Sequence, residues 1–552
     1  MKNKHDIVFF ICILFTFISS SLAASSNTEV SQKKKISSPW GMNAHFVFDS
    51  AKRHMDQLGK AMKKAGVQIV RIDAYWDFDN LMGQQKSLDS AIFFADKYNL
   101  EVLLNFPTVP AKRDSLSIEK WCRMLKNYAQ RYNGQTPIRI AKEERFPRVR
   151  YFEAMNEPDY HYKEMKFTAA ETFHLIKMSS TAIRSVRPEP DVKIVLPGLC
   201  SFEPFVYELL NFKDTNGNTL KNYIDILSYH DYNKSDSGWE YDLKERMKSF
   251  SKAGLQDKEV WITEFGTNMY ETTFEDQASF LSKRSVVSLA YGIDKIFYYQ
   301  FHYYGGNTFA IANQREDFFG MVDTGVKNSF AQFLENRDEG NYSIMTGDTP
   351  IRIYMTPKTQ KRKWVSLHGI NNRILNQLQT KGLIISGKGF AIDSVVLTHK
   401  TTNKRENIWN GHTLIDSASG NNLALSPDLF QSVSKKNRIL VYVDDIKDAS
   451  GEWEEIRPFP VYSTYTFLTS LLKDGSSYPK KIKTKFKGFN VYRWQNQDGE
   501  KIYIFWSNSD KAKSLDLSKF SGPISIYNNY GAELQGTTIE VAQSPVFIVE
   551  KP

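Results

Sequence analysis

Two glutamates could act as a chemical pair: Glu157 in "YFEAMNEPDY" (151–160) and Glu264 in "VWITEFG" (260–266), each near the close of a short apolar run. Hydrolysis of a glycosidic bond needs one carboxylic acid to protonate the leaving oxygen and one carboxylate to stabilise or attack the cationic carbon left behind. At about 5 to 5.5 Å the second carboxylate can attack directly, and the anomeric configuration is retained. Glu157 also has a purely structural reading, as an acid in the first turn of a helix beside Pro158, where the helix dipole favours it. An Asn-Glu-Pro tripeptide arises readily by chance. Two carboxylates at matching places in one repeating pattern say more.

That pattern is a count of eight. Short apolar runs recur as "GMNAHF" (41–46), "VQIVRIDAY" (67–75), "EVLLNFP" (101–107), "RYFEAMNE" (150–157), "VKIVLPG" (192–198), "IDILSYH" (224–230), "EVWITEF" (259–265) and "KIFYYQF" (295–301). Helical patterns fall between them, at 55–65, 88–98, 118–132, 168–186, 203–210, 241–253 and 275–291; Phe173, Ile176 and Ile183 share the sheet-facing side of the fourth. Eight β/α units close a (β/α)8 TIM barrel, an α/β fold whose ligand site lies at the carboxyl ends of the strands. Glu157 is then expected to end strand four and Glu264 strand seven, so that both reach one cavity from across the ring.

The eighth helix is missing where it is due. A helix-like "VYSTYTFLTSLLK" (461–473), preceded by Pro458 and Pro460, comes only after a stretch of short runs broken by Gly, Asn and Asp. The expected organisation is a signal peptide at 1–24, a catalytic barrel from 39–329 plus 458–475, an inserted β-sandwich-like domain at 330–457 and a C-terminal β domain at 480–552. The signal reading rests on Lys2 and Lys4 before an apolar stretch from Ile7 to Ile18, then small residues ending at Leu22, Ala23 and Ala24. It implies a secreted or periplasmic protein. No later run reaches about 18 consecutive apolar residues, so no membrane span is expected.

The sequence resembles glycoside hydrolase clan A, the retaining β-glycosidases built on a (β/α)8 barrel, through "MNEP" at strand four and "ITEFG" at strand seven. The resemblance implies Glu157 as acid/base, Asn156 as the partner of the sugar 2-hydroxyl and Glu264 as nucleophile. "RID" (71–73) is similar to the clan's arginine beside the nucleophile, which implies Arg71 as an orienting cation. "SYHDY" (228–232) is similar to its His-X-Tyr, giving His230 and Tyr232, and "GMNAHF" places Asn43 and His45 near the floor of the site. Trp76 is a further candidate sugar contact. Many clan members carry a Trp sugar platform on strand eight; here "FYYQFHYY" offers Tyr299, Phe301 or Tyr303 instead. Arg71 as an ordinary buried ion pair, and His230 with Tyr232 as hydrogen-bonded core, are the alternatives. A barrel with two β modules and a basic balance looks most like the β-agarases and β-porphyranases, which implies a sulfated galactan as substrate. A β-xylosidase or β-glucanase of another clan A family is the alternative enzyme, and a non-catalytic carbohydrate-binding protein the alternative of another class.

The bulk numbers set limits. At 552 residues the chain exceeds what one core of roughly 250 to 300 residues supports. Its 37 Phe and 28 Tyr can fill cores or line a groove for sugars. A net charge of +10 suits an anionic partner such as an acidic polysaccharide. No nucleic-acid recognition module is present, so none is expected as partner. "DTG" (323–325) has no second copy to make an aspartic dyad. With no HExxH, CxxC pair, phosphate loop or Gly-X-Ser-X-Gly elbow, neither metal nor organic cofactor is called for. Cys122 and Cys200 remain beyond the signal, with their pairing left open.

Overall fold

The computed structural model describes residues 35–552 except 47–54, 75–80, 108, 111–113, 161–166, 268–271, 303–318, 324–342, 347–348, 351–352, 356–362, 368–371, 387, 400–404, 417–422, 435–436, 445–456, 483–485 and 510. The signal segment, Trp76 and Tyr303 therefore lie outside the described residues.

Eight parallel strands form a closed barrel: β1 (Trp40–Asn43), β2 (Ile69–Asp73), β3 (Glu101–Asn105), β4 (Tyr151–Glu153), β5 (Lys193–Val195), β6 (Ile226–Asp231), β7 (Glu259–Phe265) and β8 (Lys295–Tyr298). They pair in sequence order, and β8 closes on β1 through Trp40 opposite Ile296 and Met42 opposite Tyr298. Helices alternate with them: α1 (Met55–Lys64), α2 (Leu81–Lys97), α3 (Ser115–Arg131), α4 (Ala169–Val186), α5 (Pro204–Asn211), α6 (Asp236–Lys252) and α7 (Phe274–Ala290). The start of α4 is fixed by a capping box, in which Thr168 and Glu171 satisfy each other's backbone N–H. Phe173, Ile176 and Ile183 on α4 are buried, as their spacing predicts.

The lower barrel is filled by one inward side chain from each of seven strands: Ile69, Leu103, Tyr151, Val195, Ile226, Trp261 and Phe297. The first strand contributes Gly41 at this level, and a Cβ there would lie 2.5 Å from the Phe297 ring. Glycine is the space the phenylalanine occupies. Strand residues point inward every second position, so the layer above holds Asn43, Arg71, Asn105, Glu153 and Ser228, all buried. An apolar plug therefore supports a polar floor.

The eighth helix, α8 (Pro460–Leu471), lies beside β1. Trp40 Nε1 donates to Leu472 O at 2.8 Å, Tyr465 Oη to Gly41 O at 3.1 Å, and Thr469 Oγ1 to Ala65 O at 2.7 Å. Just ahead of it, Arg457–Pro458 pairs antiparallel with Val322–Asp323, bringing together the two ends of the intervening segment. That segment holds a four-stranded and a five-stranded antiparallel sheet, the latter built on the long strands Lys388–His399 and Arg405–Asp416. It also carries a helix, Asn372–Lys381, an element the turn-rich reading did not place. Towards the C-terminus a six-stranded sheet packs on the pair Lys513–Asp516 and Thr538–Val541 around Phe505, Leu515, Val541 and Ile548. Among the described residues no helix is long and apolar enough to cross a membrane. Cys122 and Cys200 are both free thiols.

Candidate active site

Glu264 does not reach the barrel interior by simple alternation. Trp261 points inward, which would put Ile262 outward, Thr263 inward and Glu264 outward. A bulge reverses the parity: Ser228 pairs with Trp261 and Tyr229 with Ile262, but His230 pairs with Glu264, leaving Thr263 as the extra residue. Glu264 and His230 consequently face the same cavity. Glu264 is 7% exposed.

Arg71 organises the floor. Its Nη1 donates to Glu264 Oε1 at 2.7 Å and to Asn43 Oδ1 at 3.2 Å, its Nη2 to Asn156 Oδ1 at 2.7 Å, and its Nε to Glu153 Oε2 at 2.6 Å. Burial opposes the guanidinium charge, but Glu153, Glu264 and Asp73 outweigh it and raise the arginine above its ordinary range. The second oxygen of Glu264 accepts from Tyr232 Oη at 2.7 Å and lies 3.5 Å from His230 Nδ1. That nitrogen is 2.7 Å from Glu157 Oε1. With carboxylates on both sides, Nδ1 is the ring nitrogen that carries the proton. Burial would depress the imidazolium, yet Glu264 and Glu157 together raise it.

One oxygen of Glu157, one of Glu264 and one nitrogen of His230 all lie within 4.8 Å of each other. The three atoms could crowd round a small cation, but Arg71, Tyr232 and His230 already give both carboxylates donors. The two glutamates share a single cavity.

The placement of Glu157 corrects the expectation. The fourth strand ends at Glu153, and Glu157 stands four positions further on, in the loop before a helical turn. Its φ is +45°, in the left-handed region that a residue with a Cβ enters only when its surroundings enforce it. This is not the backbone of a first-turn helix acid. Asp159, two residues on, anchors the loop: its carboxylate accepts from the backbone N–H of Cys200 at 3.0 Å and of Ser201 at 2.6 Å. The loop after β4 is tied to the loop after β5.

The other expected residues fall as follows. Asn43 bridges Arg71 and Thr263 O, the latter at 3.0 Å. His45, two residues beyond β1, has Nδ1 2.9 Å from Asp73 Oδ2, and Asp73 takes a second bond from Asn105 Nδ2 at 2.7 Å. Burial would raise the Asp73 carboxyl, but His45, Arg71 and Asn105 bring it down to about 2. Tyr299 stands edge-on to His45, Tyr232 and Phe319, with ring centroids 5.3, 6.4 and 5.3 Å away. Phe301 is buried against Tyr462 of α8.

Sequence reasoning missed Glu153, Asp73, Asn105, Asp159 and Gly198. A Cβ on Gly198 would lie 2.0 Å from His230 Nε2, so only glycine there leaves the imidazole its place. Glu153 and Asp73 did give a signal: each is a charged residue at an inward position of a strand run. The remaining three have no local signature.

Residues 82–309 match the model of the family described as glycosyl hydrolase catalytic core. No curated protein matches the chain. Among solved structures, the chain is similar to a family 39 glycoside hydrolase from the gut symbiont Bacteroides cellulosilyticus WH2, at 14% identity and TM-score 0.51, over 93% of this chain and 81% of that one. It is also similar to a GH30 endoxylanase from Clostridium papyrosolvens C71, at 10% identity and TM-score 0.46, over 95% of this chain and 98% of the other. Residues 82–309 of the barrel thus carry the match to a glycosyl hydrolase catalytic core, and the solved structures share its fold.

Proposed function

We propose that the protein is a secreted, retaining β-glycoside hydrolase in which Glu264 is the nucleophile and Glu157 the acid/base. The observation that carries this reading is the approach of the two carboxylates to within 4.8 Å around His230. Retaining enzymes hold the pair at about 5 to 5.5 Å, whereas inverting ones need about 6.5 to 9.5 Å to admit a water. Glu157 protonates the glycosidic oxygen while Glu264 attacks the anomeric carbon; Glu157 then takes a proton from the water that releases the sugar. Arg71 and the Tyr232 hydroxyl each donate to one oxygen of Glu264 and aim it. His230, whose Nδ1–H faces both glutamates, stabilises the carboxylate left on Glu157 after proton transfer. Since Asn156 accepts from Arg71 through Oδ1, it has its NH2 to offer a sugar hydroxyl. Tyr299 serves in the tryptophan's place as an apolar surface for the ring.

The substrate in this reading is an extracellular polysaccharide, with a sulfated red-algal galactan favoured by the net charge of +10. Incubation with agar, porphyran, xylan and mixed-linkage glucan tests it by which one releases oligosaccharides. Glu264→Ala should abolish that release, and azide should partly restore turnover to give a glycosyl azide of inverted configuration. Unimpaired activity without Glu264 would contradict the assignment, and binding without any new reducing ends would favour a non-catalytic carbohydrate-binding protein.

A further inference from the structure

Glu153 has no part in the roles assigned so far. It closes β4, is 0% exposed, and engages donors on both carboxylate oxygens: Oε2 accepts from Arg71 Nε at 2.6 Å, and Oε1 from the backbone N–H of Gly198 at 3.0 Å, with the Ser228 hydroxyl 3.4 Å away. Burial pushes the Glu153 carboxyl up, while Arg71 and His230 favour its charged form, and both of its oxygens accept hydrogen bonds.

The consequence lies in how Arg71 spends its donors. A guanidinium facing a lone carboxylate tends to grip both oxygens in a fork. Here the Nε edge is taken by Glu153, so Glu264 meets Arg71 through Oε1 alone and keeps Oε2 for Tyr232. The same constraint aims Nη2 at Asn156. Arg71 on β2 and His230 on β6 are the cationic groups near Glu153, Glu264 is the anion, and Asp73 lies 4.0 Å from Arg71 Nη1. One arginine is shared among three carboxylates.

We propose that Glu153 is a positioning residue for this hydrolysis: it clamps Arg71 so that Glu264 is held by one oxygen rather than locked by two, and it takes part of the arginine's charge so that Glu264 remains a competent nucleophile. The inference rests on reading Glu264 as the nucleophile. It also explains why a carboxylate, and not an apolar residue, ends a strand deep in the barrel.

The test compares Glu153→Gln, Glu153→Asp, Arg71→Lys and the combined Gln/Lys variant. The probe is whichever p-nitrophenyl β-glycoside among the galactoside, xyloside, glucoside and mannoside the wild type hydrolyses. Glu153→Gln should keep the wild-type circular dichroism and KM while kcat falls about tenfold or more, the scale of one lost positioning contact. The acidic limb of its kcat/KM profile should move to lower pH by about one unit, since removing a neighbouring negative charge favours the ionised nucleophile. Glu153→Asp retains the charge but not the reach, so kcat should fall with the limb unmoved; this variant serves if glutamine prevents folding. In the Arg71→Lys background the glutamine change should add less than about twofold, because a lysine ammonium has no fork for Glu153 to hold. Wild-type kcat and an unmoved limb in Glu153→Gln, or equal losses in both backgrounds, would overturn the role. A wild type inactive on all four glycosides and on polysaccharide would instead sink the reading of Glu264, and the positioning role with it.

Discussion

Replacing Gly198 by alanine adds one methyl group at the back of His230. The new Cβ would stand 2.0 Å from Nε2, 2.4 Å from Cδ2 and 2.7 Å from Cε1. Carbon and nitrogen in ordinary contact are about 3.4 Å apart or more, so the ring must retreat by more than an ångström. No φ strain accompanies the change, since Gly198 is not among the positive-φ glycines. The side chain of His230 is fully buried, and its Nδ1 bonds Glu157 at 2.7 Å, so the retreat pushes the imidazole into the two glutamates or breaks that bond. Overpacking of this kind costs about 1 to 3 kcal/mol of stability. Displacing a group at the reacting centre by about 1 Å costs about 100-fold in rate. We therefore expect a folded Gly198→Ala enzyme with kcat/KM lowered about 100-fold, most of it in kcat, measured by p-nitrophenol release and set beside a calorimetric scan. An alanine variant within threefold of wild type would refute the claim that His230 must sit where it does.

Three further outcomes follow from the same geometry. Tyr232→Phe deletes a 2.7 Å hydrogen bond to the Glu264 carboxylate, worth about 1.5 to 3 kcal/mol, so kcat should fall about 10- to 100-fold and the acidic limb should move to higher pH, as a pH–rate profile will show. Arg71→Gln leaves Glu153, Glu264 and Asp73 without their common cation; breaking such a buried pair costs about 3 to 5 kcal/mol, and denaturant titration should register it with loss of turnover. His230 is raised in the folded protein by Glu264 and Glu157 against the effect of burial, so its contribution to stability is complete below the unfolded value of about 6.5 and is lost as pH rises through the folded one. Tm should accordingly fall across that window in the wild type, and the slope should flatten in His230→Asn.

The barrel was legible because each strand is a short apolar run, and closure needs only their count and the alternation with helices. Each of the eight runs coincides with a barrel strand, with only Trp40 of β1 and Asp231 of β6 falling just outside. The polar floor was harder to read. Arg71, Asn43, Asn156, His230, Tyr232, Glu157 and Glu264 are joined in one hydrogen-bonded network. Alternation alone would have turned Glu264 outward, since the bulge at Thr263 follows from pairing between β6 and β7 and not from any local motif. Glu157 was assigned to the end of a strand because the apolar run carries on through Ala154 and Met155; the backbone leaves the sheet after Glu153 and enters a left-handed turn. Gly198 and Asp159 matter through contacts with distant residues, which no single-chain periodicity reports.

The most direct measurement is to trap the intermediate. Wild-type enzyme, treated with the 2-deoxy-2-fluoro analogue of the aryl glycoside it hydrolyses, should gain the mass of one fluorosugar, and peptide mapping should locate the ester on Glu264. An adduct on Glu157, or no adduct together with a product of inverted anomeric configuration, would contradict the mechanism.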